Sequence, residues 1–373
     1  MTATPRGTGT SMTTTPVRRG SARAVAVGAA LLLAATACSR ADRVDEADGP
    51  ADLGAAAELR LGYFPNVTHA AAVAGVSEGF FAEELGDTEL VPQTFNAGPD
   101  AVGALLGDSL DATFIGSNPA LTAFQESGGA HTRLVAGATS GGAQLVVRAD
   151  IDGPEDLLGE SVATPQLANT QDVAAKKWLV DLDLPSGDGP DQVTVQNIRN
   201  PDTLNLFREG AVAGGWLPEP WASRLVVEAD AEVLVDERDL WDGGAFPTTV
   251  LIVRTQYLRE HPETVEALVR GLLRSTDWVE EDLGRAKAVV NAELDRLAGA
   301  PLDQAVLDRA FENIDLDLDP LAATFPRLAE DAVTAGLSPA VPDLHGLVDV
   351  GPLNNVLAEA GRPPVDDAGL GEG

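Results

Sequence analysis

Asp111–Ala120 reads D-A-T-F-I-G-S-N-P-A. Asp111 to Ile115 is a short apolar run suited to a β-strand, and Gly116 breaks it. Ser117 or Asn118 is then placed to cap a helix whose first position is Pro119. This is the strand, turn and helix-start order of an α/β unit, and it sets a helix N-terminus at the carboxyl end of a strand. Unpaired backbone N–H groups and the positive end of the helix dipole meet there, so the expected occupant is a small anion or a polar ligand head. Nothing in the junction has the setting of a nucleophile or a base, so the stretch points to binding.

The same grammar recurs on both sides. Leu59–Tyr63 reads as a strand, Phe64-Pro65-Asn66 as a turn, and Thr68 to about Val76 as a helix of small residues. Glu89–Phe95 is a further strand, after which Asn96-Ala97-Gly98-Pro99 opens a helix with Val102, Leu105 and Leu106 on one face. Thr132–Ala138 and Gln144–Val147 read as strands around the polar break Thr139-Ser140-Gly141-Gly142, expected to be a first crossover between domains and a source of N–H donors. Beyond it come a strand at Ser161–Ala163, a loop at Thr164–Asn169, a helix capped by Asn169 or Thr170, a strand at Val193–Gln196, a Pro201-started helix and a strand at Ala211–Trp216. Turn, proline-started helix, glycine and short strand thus occur twice, which predicts two similar α/β lobes. In Leu217-Pro218-Glu219-Pro220-Trp221 two prolines delay the next helix until Trp221. Phe246–Thr249 reads as the return crossover, and from Gln256 onward the pattern is mainly helical and wraps the first lobe.

A chain of 373 residues with 44% hydrophobic content can bury two cores. Its single cysteine, Cys38, excludes an intramolecular disulfide. Cys38 follows the apolar run Val25–Ala37, itself preceded by Arg18, Arg19 and Arg23, the order of a secretory signal. Ala35-Thr36-Ala37-Cys38 resembles a bacterial lipoprotein box with Cys38 as the lipidated residue, and the apolar run is shorter than the roughly 20 residues of a transmembrane helix. The expected organisation is a lipoprotein signal peptide at 1–37, a flexible tether at 38–57, a first lobe from 58–142 plus 248–365, a second lobe at 143–247, and a disordered tail at 366–373. With 25 Lys plus Arg against 58 Asp plus Glu the net charge is −33. Such a surface repels nucleic acid and anionic lipid. Screening over about 8 Å at physiological ionic strength still lets a buried anion site coexist with it.

Catalytic and metal patterns do not assemble. Gly107-Asp108-Ser109-Leu110 spells the GDSL lipase signature but stands at a helix end before a strand, the reverse of what a nucleophile elbow needs. Asp315, Asp317 and Asp319 begin like a calcium loop, yet Pro320 replaces the required glycine and Pro326 the closing glutamate. His69, His131, His261 and His345 have no ligand spacing, so neither metal nor cofactor is expected.

Leu59–His69 (L-R-L-G-Y-F-P-N-V-T-H), Phe95–Ala104 (F-N-A-G-P-D-A-V-G-A), Leu110–Pro119 and Trp216–Ser223 (W-L-P-E-P-W-A-S) together resemble the periplasmic solute-binding proteins of ABC importers for aliphatic sulfonates, taurine and nitrate. The resemblance spans about residues 58–360. It implies a type II periplasmic-binding-protein-like α/β fold, two lobes joined by two crossovers, a ligand in the cleft, and a permease and ATPase as partners. The expected ligand is a small anion or zwitterion, an aliphatic sulfonate first, with a thiamine pyrimidine precursor held between Trp216 and Trp221 as the alternative. A membrane-anchored, extracytoplasmic monomer follows from the same reading. If the lobes close on a ligand, the strand-to-helix junctions face the cleft. That nominates Tyr63, Asn66, His69, Ser117 and Asn118 from the first lobe, Thr139, Ser140 and Gly141 from the crossover, and Thr164, Asn169, Thr170, Trp216, Glu219 and Trp221 from the second.

Overall fold

The computed structural model describes residues 52–372. The leader at 1–37, Cys38 and most of the tether lie outside the described residues. Among the described residues eleven strands form two sheets. In the first, β1 (Glu58–Tyr63), β2 (Glu89–Thr94) and β3 (Ala112–Ile115) are parallel in the spatial order 2-1-3, and β4 (Thr132–Gly141) follows. In the second, β6 (Ser161–Thr164), β7 (Thr194–Asn197) and β8 (Gly214–Pro218) repeat that order as 7-6-8, while β5 (Ala143–Val147) lies antiparallel between β8 and the edge strand β9 (Glu232–Asp236). The chain then returns to the first sheet, where β10 (Pro247–Arg254) inserts antiparallel between β3 and β4 and β11 (Ile314–Asp315) covers the edge of β4. The repeated plan in the sequence is therefore a repeated strand order in space.

Both sheets are buried on both faces, and strand alternation shows it. In β10, Leu251 and Val253 enter the core with Leu59, Tyr63 and Phe114, whereas Val250 and Ile252 enter the opposite core with Ile115 and Leu134. In the second sheet Leu145 and Trp216 face one core, Val146 and Leu217 the other. The C-terminal helices wrap the first sheet, led by the amphipathic helix Pro262–Glu281, which buries Val265, Leu268, Val269 and Leu272.

Several boundaries differ from the sequence reading. Thr139, Ser140 and Gly141 are not a loop: β4 runs through them because Ile314 and Asp315 pair with Gly141 and Ser140. The crossover shrinks to Gly142, and Gly141 and Gly142 take left-handed backbone with φ of 70° and 71°, which a side chain would strain. The expected tether ends earlier than residue 57, since Leu53 N–H donates to Glu260 O (2.8 Å) and Ala56 N–H to Thr264 Oγ1 (2.9 Å). Residues 366–372 are packed rather than free. Val348 N–H donates to Leu370 O (3.2 Å), and Glu372 pairs with the buried Arg133 and with Arg259. Among the described residues no helix is long and apolar enough to cross a membrane.

Candidate functional site

Five helices begin around one chamber between the sheets, following β1, β2, β3, β6 and β7. Proline stands at the first or second position of the helices Gly98–Leu106 and Asn200–Arg208, fixing φ where no N–H bond is lost. The helix Ser117–Glu126 starts two residues before Pro119. Gly116 is its N-cap residue and no side chain caps it, so neither Ser117 nor Asn118 acts as the expected cap. Opposite, Asn169 caps Thr170–Asp181 by accepting the Asp172 N–H at 2.9 Å. The two helix starts meet closely: a Cβ on Gly116 would stand 2.5 Å from Thr170 Oγ1.

The chamber is lined by amides and hydroxyls, with Phe64 and three prolines, and its lining carries no formal charge. Asn66, Asn96, Asn169 and Asn200 stand at four of the five junctions, two from each lobe, with Thr68, Thr170, Gln171, Thr248 and Thr249 between them. His69 completes the wall as a neutral ring. Burial pushes its pKa down to about 3, and Nδ1 accepts the Phe64 N–H at 3.4 Å, which leaves the proton on Nε2 as a donor. Asn66 is oriented across the cleft, its Oδ1 accepting from Trp221 Nε1 at 3.2 Å. Two lining atoms, Thr170 Oγ1 and Asn200 Oδ1, are buried with no partner among the described residues. A buried polar atom left so costs about 1–3 kcal/mol; a ligand acceptor would remove that cost for the Thr170 hydroxyl and a ligand donor for the Asn200 oxygen.

Asn66, Asn96, Ala97, Pro165 and Asn200 also line a wider outer cavity, so the chamber opens outward through them. This vestibule has apolar walls from Pro65, Phe95, Pro201 and Trp221, with Asp100 on one lobe and Arg199 on the other. Arg199 is paired with Asp202 at 2.9 Å.

Of the nominated residues the structure brings Asn66, His69, Asn169 and Thr170 to the chamber and Trp221 to the vestibule. The others lie elsewhere for identifiable reasons. Tyr63 points into the core of the first sheet. Ser117 is fully buried one residue behind Gly116, and Asn118 Nδ2 turns to Leu328 O at 3.4 Å. Thr139, Ser140 and Gly141 are strand residues, Thr139 Oγ1 donating to Thr68 O at 2.7 Å. Thr164 Oγ1 donates to Asp172 at 2.9 Å beneath the junction. Trp216 is a core residue packed edge-on against Trp178, with Nε1 donating to Glu237 at 2.9 Å, so no pair of tryptophans flanks a ring. Burial holds Glu237 up to about 8. Glu219 is buried behind the chamber. Ser109 of the GDSL-like stretch is an exposed turn residue away from the chamber.

Asn96, Gly98, Gly116, Gln171, Asn200, Arg199, Thr248 and Thr249 were not nominated. The asparagines had a signal, since each stands just before a proline-started helix in corresponding halves of the repeat. Among the described residues no group of three His, Cys, Asp or Glu could hold a metal.

Two α/β lobes joined by two crossovers, with a neutral chamber between them, give the described residues the fold of periplasmic binding proteins. The chain belongs to the NMT1-like family, whose pattern matches residues 54–293. It is 27% identical over 230 residues to the taurine-binding periplasmic protein of Escherichia coli K12, covering 60% of this chain and 68% of that protein. Its fold matches the alkanesulfonate-binding protein SsuA of Xanthomonas axonopodis pv. citri, solved bound to MOPS, with a TM-score of 0.63 at 20% identity over 77% of this chain and 96% of that one. The nitrate-binding protein NrtA of Synechocystis PCC 6803 gives 0.65 at 14% identity, covering 81% and 89%.

Proposed function

We propose that the protein captures an aliphatic sulfonate outside the cytoplasm and delivers it to the permease of an ABC importer, its lobes at 58–142 plus 248–365 and 143–247 closing on the ligand. The observation that carries this is the charge-free chamber where five helix starts converge on the unpartnered Thr170 hydroxyl. A sulfonate is a permanent monoanion with three acceptor oxygens, which neutral N–H and O–H donors satisfy without a buried arginine. Each helix terminus contributes about 0.3–1 kcal/mol, while micromolar binding needs about 8 kcal/mol. Direct hydrogen bonds from the amides, the hydroxyls and His69 therefore supply most of the affinity. The apolar vestibule gives an alkyl tail a place that nitrate lacks, and Asp100 at its rim suits a ligand bearing an amine, as taurine does.

Calorimetry with ethanesulfonate, taurine and nitrate tests this. The sulfonates are expected to bind at micromolar concentration or tighter and nitrate at least tenfold more weakly; the reverse order, or no sulfonate binding, overturns the assignment. We further propose that lipidated Cys38 anchors the protein to the outer face of the membrane, supported by the signal-like run before it. Cys38→Ser is expected to move the protein from the membrane fraction to the soluble one, and retention with continued lipid labelling contradicts the anchor.

A further inference from the structure

Glu219 lines neither the chamber nor the vestibule, yet it is fully buried and its bonds reach across to the other lobe as well as into its own helix. One carboxylate oxygen accepts from Asn313 Nδ2 (2.6 Å) and Arg309 Nη1 (3.2 Å), the other from the Ser223 N–H (3.1 Å). Arg309 also donates to Ser223 Oγ (2.8 Å) and to Gln144 Oε1 (2.6 Å), and Gln144 donates to Asp236 (2.8 Å). Arg309 lies on a helix whose Leu307, Ala310 and Phe311 belong to the core of the first lobe. Glu219, Ser223, Gln144 and Asp236 belong to the second sheet and its helix. The knot therefore joins the lobes outside the covalent crossovers. Its main chain reaches the chamber: Glu219 N–H donates to Gly142 O (2.9 Å) in the crossover, and Glu219 O accepts the Thr68 N–H (3.4 Å). Thr68 O in turn receives the Thr139 and Thr249 hydroxyls at 2.7 and 2.9 Å, and Thr68 and Thr249 line the chamber.

We propose that Glu219 is a positioning residue for ligand capture: gripped by Arg309 and Asn313, it holds the crossover, the end of β8 and Thr68 as one rigid block on which the lobes pivot. An ion pair with a fully buried carboxylate and a partly buried guanidinium suits that place, because removing the arginine strands the carboxylate whereas removing both charges does not. Burial raises the Glu219 pKa, while Asn313 and Arg309 work against it.

The binding readout rests on the sulfonate assignment; small-angle scattering without ligand does not. Glu219→Gln alone is expected to lower the melting temperature and to weaken ethanesulfonate binding at least tenfold. The double variant Glu219→Gln/Arg309→Met is expected to regain the melting temperature but not the affinity, and to show a larger ligand-free radius of gyration than the parent protein. Asn313→Ala, which removes an uncharged partner, is expected to move affinity the same way by a smaller factor. If the double variant regains affinity together with stability, or scatters like the parent, the pair only supports the fold and the proposal fails. If the parent protein binds no sulfonate, the ligand assignment fails and the scattering still decides the pivot.

Discussion

Two of the contacts between the lobes differ in kind. Behind the chamber, Glu219, Arg309, Gln144 and Asn313 form a largely buried, charged and hydrogen-bonded knot. At the front, beside the chamber, the contacts across the cleft are neutral: a hydrogen bond from Trp221 to Asn66, and the close approach of Gly116 to Thr170. Separating the first would expose or strand charges at a cost of several kcal/mol. Separating the second gives up about 1 kcal/mol of hydrogen bonding, replaced by water. The same polypeptide thus has one seam built to persist and one built to open, and the ligand sits between them, where its own bonds tip the balance toward closure.

The front seam breaks most sharply at Gly116. Its φ of −67° and ψ of 154° suit any residue, so Gly116→Ala strains nothing in the backbone. The new methyl would nonetheless lie 2.5 Å from the Thr170 hydroxyl and only ordinary contact distance, 3.6 Å, from its Cβ. The lobes must part or the threonine must rotate from the ligand. Sulfonate affinity measured by calorimetry is expected to fall at least tenfold with little change in melting temperature, and an unchanged affinity means that these helix starts do not meet around the ligand. Trp221→Phe is a gentler break. It keeps the apolar wall of the vestibule and removes only the N–H bonded to Asn66, so the loss should be about 1 kcal/mol, roughly fivefold in affinity. A larger radius of gyration in the bound state, rather than weaker binding alone, would place the tryptophan in the back seam's class.

How much of this was legible in the sequence follows the same division. The parallel strands, the proline-started helices and the repeated plan are local and stand close to where the residue pattern put them, with β8 shifted a few residues later; β9 and β11 had no such signal, and β10 already begins at Pro247, inside the stretch read as the return crossover. The chamber was partly legible because a junction such as Asn66 or Thr170 announces itself by turn chemistry. Trp216 was not, because a strand buried on both faces offers no polar alternation to say which way a side chain points. Thr139–Gly141 read as a loop since the residues that pair them into the sheet, Ile314 and Asp315, come far later in the chain. Glu219 drew attention as an awkward carboxylate, but Arg309 and Asn313, which explain it, are 90 and 94 positions away. Local chemistry wrote the front of the molecule, and long-range pairing wrote the back.

His69 offers the smallest effect at neutral pH and the cleanest control on the neutrality of the chamber. Its folded pKa of about 3 lies below the ordinary histidine value of about 6.5, so the unfolded chain takes up a proton that the folded chamber refuses. The sign follows: the stability contribution is complete above pH 6.5 and is lost as pH falls through the window from about 6.5 to 3, at up to about 1.4 kcal/mol per pH unit. Carboxylates titrate over part of that range, so the informative quantity is the difference between the parent protein and His69→Gln, which lacks a titrating group but keeps an N–H donor. Between pH 6.5 and 5 the parent should lose stability faster than the variant by close to one proton's worth, read from urea midpoints, while the two have similar affinity for ethanesulfonate at pH 8. Equal slopes would mean that the ring gains a proton without opening the fold, and a chamber holding an imidazolium would no longer contrast with the charged knot behind it.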